Sequence, residues 1–109
     1  MKVAIVGSRD YRSRGNVADF IGGLPEDAVI VSGGARGPDS WAVEAAGVRV
    51  TQVFPAEWEK YGRSAGFLRN STIVAACDEL YAFWDGLSKG TLDSIQKAAK
   101  VGKLKGIFV

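Results

Sequence analysis

The sequence predicts an α/β fold: one three-layer domain over residues 1–109, with a five-stranded parallel sheet in the order 3-2-1-4-5 and helices on both faces. Two observations predict it. Short apolar runs alternate along the chain with segments whose apolar residues recur at helical spacing, the pattern of strand–helix–strand units joined by right-handed crossovers. The runs also lack polar alternation, as strands covered on both faces do.

Lys2 to Val6, Lys-Val-Ala-Ile-Val, is the first predicted strand and stops at the polar loop Gly7-Ser8-Arg9-Asp10-Tyr11. Val17, Phe20, Ile21 and Leu24 then repeat at helical spacing, which predicts a helix over 16–24 ended by Pro25. Ala28 to Val31 is the second predicted strand. It runs into a loop with glycines at 33, 34 and 37, and Pro38 is placed to start a helix over 38–46, with Gly47 as its C-terminal cap. A third strand is expected over 49–54, closed by Pro55. The segment 56–66 carries Trp58 and Tyr61, but Gly62 and Gly66 limit it to a short helical turn and loop. A helix over 66–77, a fourth strand over 79–84, a helix from about Leu92 to Lys100 and a fifth strand over 103–109 complete the chain.

Composition narrows the function. Hydrophobic residues make up 47% and charged residues 24%, the balance of a globular chain. Fourteen Lys and Arg against twelve Asp and Glu leave a net charge of +2, and on that ground nucleic acid ranks last among the expected partners. The arginines nevertheless gather in or beside turns, at positions 9, 12, 14, 36, 63 and 69, as does Lys89. The lone Cys77 has no internal disulfide partner and reads as a small buried hydrophobe. With no histidine, neither an activated thiol nor a transition-metal site is expected, and no cofactor is implied. No apolar stretch is long enough to span a bilayer, and the first strand starts without a signal peptide, so a cytoplasmic, membrane-free protein is expected.

In strand order 3-2-1-4-5 the sheet reverses between the first and fourth strands, and ligands of such folds sit beyond the carboxyl ends of the strands at that reversal. The loops after strands one, two and four should meet there. Glycine-bearing loops at helix N-termini suit phosphate, because exposed amides and the helix dipole favour an anion. Gly33, Gly34, Arg36, Ser88, Gly90 and Thr91 are therefore expected on phosphate, with Gly7, Ser8 and Arg9 lining a base or ribose, Ala35 also in the ligand site and Gly86 in the third loop. The dinucleotide and ATP glycine fingerprints are both missing.

Gly7-Ser8-Arg9, Ser32-Gly33-Gly34-Ala35-Arg36-Gly37-Pro38-Asp39, Trp58 with Tyr61-Gly62, Ala65-Gly66 before Arg69-Asn70, and Trp84-Asp85-Gly86 with Ser88-Lys89-Gly90-Thr91 resemble, in order and over nearly the whole chain, the SLOG superfamily. The nearest branch by this resemblance is the YspA-like, YpsA-related group, the domain of unknown function 2493. The resemblance implies a Rossmann-like domain that binds a nucleotide or nucleotide-derived small molecule. It also extends to the Lonely-guy phosphoribohydrolases, which use a helical arginine and a glutamate after a glycine loop. Arg69 matches the arginine, but Ser94 stands at the glutamate position, and Asp93, one residue early, is turned by about 100° around the helix.

Several residues carry more than one reading. Arg69 and Asn70 face the pocket or cap a surface helix; Asp39 meets a ribose, holds Arg36 or partners the helix dipole; Trp84 stacks on a base or belongs to the core. Asp85 is a general base or a turn former. Trp41 and Trp58 read as packing or subunit-interface residues, and a homo-oligomer paired through a helix face is expected. The leading expectation is a nucleotide sensor or carrier. An enzyme cleaving an N-glycosidic or phosphoribosyl bond with Arg69 and Asp85 or Asp93 is the first alternative, and single-stranded nucleic-acid binding the second.

Overall fold

Four consecutive apolar residues, Val3 to Val6, are buried in the middle of the sheet, and their alternating side chains begin two cores. In the computed structural model, which describes residues 1–109, they belong to β1 (Lys2–Gly7). This strand pairs in parallel with β2 (Val29–Ser32) on one side and β4 (Glu79–Phe83) on the other. The edges are β3 (Thr51–Val53) and β5 (Leu104–Phe108), giving the order β3-β2-β1-β4-β5 that the sequence predicts. Helices α1 (Arg14–Gly22) and α2 (Pro38–Ala45) cover Val3, Ile5 and Ile30 with Val17, Ile21 and Ala42. On the opposite face, α4 (Ala65–Ala76) and α5 (Lys89–Lys100) cover Ala4, Val6 and Val31 with Ile73, Val74 and Ile95. The one-turn helix α3 (Trp58–Tyr61) and a 3-10 turn (Gly62–Ser64) lead into α4.

The boundaries differ from expectation for local reasons. Helix α1 starts two residues early because Ser13 Oγ accepts from Asn16 N at 3.2 Å and caps it. Strand β3 is shorter than 49–54: Arg49 turns its guanidinium onto the carbonyls of Leu24, Pro25 and Ala46, tying loops instead of extending the sheet. Gly47 follows α2 at φ +60, the left-handed turn expected of it. Cys77 and Trp41 pack against the two cores, and burial pushes the Cys77 thiol pKa up. No helix is long and apolar enough to cross a membrane.

Candidate functional site

The loops after β1, β2 and β4 meet at the carboxyl edge of the sheet around a crevice of about 470 Å³. Gly7 and Arg9 reach it from the first loop, Ala35 and Asp39 from the second, Asp85, Ser88 and Gly90 from the third. The side wall comes from the segment leading into α4, with Trp58, Arg63, Phe67, Arg69 and Asn70.

Its floor is a network of hydrogen bonds that ties the three loops together. Asp39, 4% exposed, accepts from Gly7 N through Oδ1 and from Gly33 N through Oδ2, both at 3.1 Å, so one carboxylate bridges the ends of β1 and β2. Ser8 Oγ accepts from Asp85 N at 3.1 Å and lies 3.3 Å from Thr91 Oγ1, joining the first loop to the third. Asn70 accepts from Arg69 Nε and donates to Gly90 O and Asp93 Oδ2, fastening α4 to the start of α5. Arg69 Nη1 donates to Gly33 O at 3.0 Å.

Burial dominates the electrostatics of Asp39. It pushes the carboxyl pKa up to about 6, against the opposing pull of the Arg69 charge and of the backbone amides of Gly33, Gly7 and Ala35. Asp85 behaves oppositely: its Oδ1 accepts from Leu87 N and Ser88 N, both at 2.8 Å, and these bonds hold its pKa below the usual carboxylate value. It is a turn former and a weak base. Asp93 Oδ2 is shared between Asn70 and Lys97, the latter at 2.8 Å. Asp39, Asp85 and Asp93 are thus engaged in holding the fold, whereas Asp10 lines the crevice without such a bond.

Two glycine loops owe their glycines to packing. A methyl on Gly7 would lie 2.4 Å from Pro38 Cγ and 2.7 Å from Phe83 O; one on Gly33 would lie 2.3 Å from Arg69 Nη1. The expectation that Gly33 and Gly34 offer amides to phosphate is corrected accordingly, since Gly33 N is bonded to Asp39 and Gly34 N to Ser32 Oγ at 3.1 Å. Backbone donors remain at the start of α5. Ser88 Oγ accepts from Thr91 N at 3.3 Å, and the Lys89 and Gly90 amides ahead of it have no partner in the chain.

Of the other expected site residues, Ser8 lies buried beneath the crevice, and Arg36 and Gly86 are exposed outside it. Trp84 is corrected from a stacking candidate to a packing residue: its indole Nε1 donates to Ser88 O at 3.1 Å and its ring packs on the core. Trp58, expected as a packing or subunit-interface residue, belongs to neither core. It is 54% exposed and lines the crevice, as do Phe67 and Arg63, none of which was expected there. The guanidiniums of Arg9 and Arg63 line the crevice and have no hydrogen-bond or ion-pair partner in the protein.

No family model matches the sequence. The chain is 38% identical over 113 residues to the Gene 61 protein of Mycobacterium phage D29, covering 93% of this chain and 90% of that one. Its fold is similar to the solved structure of DNA processing protein A from Helicobacter pylori, with a TM-score of 0.71 and 22% identity over 97% of this chain. The chain spans 64% of the length of that structure, which is described by its single-stranded DNA binding mode. This corrects the low rank given to nucleic acid on net charge: a sum over the whole chain does not register arginines collected at one rim.

Proposed function

Starting from a chain that belongs to the family of the phage Gene 61 protein, and whose Rossmann-like fold in the SLOG group is structurally related to DNA processing protein A, we propose that it binds single-stranded nucleic acid at the carboxyl-edge crevice. One observation carries the reading: an exposed indole, Trp58, and two unpaired guanidiniums, Arg9 and Arg63, stand around one cavity that Gly90, with its free amide, also lines. Aromatic rings beside basic groups are what a single strand needs, since every base presents a π-face and every linkage a negative charge. In this reading phosphate meets Arg9, Arg63 and the Gly90 amide against the repulsion of Asp10 and Asp85 in the same lining, and the base lies against Trp58.

Anisotropy of a labelled oligothymidylate should rise on adding the protein at low salt. With about two to three phosphates neutralised, log K should fall against log salt with a slope of about −1.5 to −2. Trp58→Ala should weaken binding by about 1–3 kcal/mol, roughly 5- to 150-fold. An unchanged anisotropy at low salt overturns the proposal.

A free nucleotide, held as by a sensor or carrier, is the second reading. The cavity volume favours it, being in the range of small-molecule pockets. In that case a mononucleotide displaces the labelled strand as well as an oligonucleotide does. Hydrolysis has less support, because Asp39 spends both carboxylate oxygens on the protein and Asp85 and Asp93 one each.

A further inference from the structure

The first half of α4 separates the crevice from a second cavity of about 660 Å³. Gly66, Phe67 and Asn70 face the crevice, whereas Ala65, Leu68 and Thr72 face the second cavity. At about 100° per residue, Arg69 falls on the strip of helix between these faces, and it lines both cavities. Its Nε and Nη1 are bonded to Asn70 Oδ1 and Gly33 O, and its Nη2 has no partner in the protein. The preceding helical turn supplies each cavity with one ring: Trp58 to the crevice and Tyr61, 44% exposed, to the second.

We infer that a single strand crosses α4 in two consecutive subsites, one base against Trp58 in the crevice, the next against Tyr61 in the second cavity, and the linking phosphodiester on Arg69 Nη2. The inference rests on the proposed nucleic-acid binding and specifies its footprint. Second-cavity chemistry suits a base and not a phosphate. Val53, Phe54 and Pro55 give it an apolar wall, Ser71 and Thr72 give hydroxyls, and the Glu57 carboxylate repels an anion. Lys60 Nζ lies 5.1 Å from the Tyr61 ring centroid, so one face of that ring is taken and a cation stands ready for the following phosphate. A helix with its side chains is about 10–12 Å across, so bases on its two sides are unstacked from one another. That geometry admits a single strand and rejects a duplex.

The test is competition by 5′-phosphorylated thymidylates of one, two and three nucleotides against a labelled oligothymidylate. For the wild type, affinity should rise about tenfold from one nucleotide to two. Tyr61→Ala should abolish that gain while the one-nucleotide affinity stays within about twofold, and Tyr61→Phe should restore it. Tyr61 is exposed, so its removal leaves the core intact. Equal wild-type affinities for one and two nucleotides with a gain at three, or a Tyr61→Ala loss that is the same at both lengths, overturn the two-subsite arrangement alone, whereas equal affinities at all three lengths overturn the strand-binding reading in favour of a free nucleotide. Absence of competition and binding at every length overturns the proposed function with it.

Discussion

Asp39→Ala is expected to destabilise the protein by about 4 kcal/mol at pH 4.5 and by about 2 kcal/mol at pH 8. The substitution orphans the Gly7 and Gly33 amides beneath the crevice, each a buried donor worth about 1–3 kcal/mol when left unpaired. The pH dependence follows from the folded-state pKa of about 6, raised by burial above the ordinary 3.8. A raised acid pKa means that the folded state binds the proton more tightly than the unfolded chain. Its contribution is fully present below the unfolded value and is lost as pH rises through 6, about 2 kcal/mol between pH 4.5 and 8. The alanine variant has no such term, so its cost shrinks as the wild type loses its own. With no histidine in the chain, few other side chains titrate in this window. Urea unfolding of both proteins at the two pH values checks the result; a cost independent of pH would show that Asp39 is ionised throughout.

Gly7→Ala should cost about 3 kcal/mol or more. Its methyl would meet the Pro38 ring at 2.4 and 2.5 Å and the Phe83 carbonyl oxygen at 2.7 Å, a rigid ring and a strand backbone that cannot both retreat. Moving α2 away also stretches the Gly7 N to Asp39 bond, so the floor of the crevice loosens along with the packing. Gly15→Ala is the matched control. A methyl there meets nothing within 4 Å, φ is ordinary, and alanine in a helix gains up to about 1 kcal/mol. Thermal melts of the two variants should move in opposite directions; a Gly7→Ala protein as stable as the wild type would mean that the contact at Pro38 is looser than described.

The sheet order and the meeting of three loops at one edge were legible because burial on both faces removes polar alternation from β1 and β2, and the helical periods between them fix parallel crossovers. Strand β3 was less legible, since Arg49 and Val50 are compatible with a strand until the Arg49 guanidinium is seen on the α1 and α2 loops. The glycine loops were found but their reason was not. A residue without a Cβ looks the same in sequence whether it admits an anion, as read at Gly33, or a guanidinium, as observed there. Trp58 and Phe67 escaped because Gly62 and Gly66 interrupt the helical period, and their approach to the crevice depends on a 3-10 turn that no spacing predicts. Net charge hides the rim for a related reason: +2 is a sum over the chain, whereas Arg9 and Arg63 stand together at one crevice.

Photocrosslinking to a bromodeoxyuridine-substituted single strand, followed by peptide mass spectrometry, tests the central claim most directly. Adducts should fall in the segment from Trp58 to Arg69, with Trp58 foremost and a loss of yield in Trp58→Ala. Adducts confined to the loops at the opposite, amino edge of the sheet, residues 24–28 and 101–103, would contradict it.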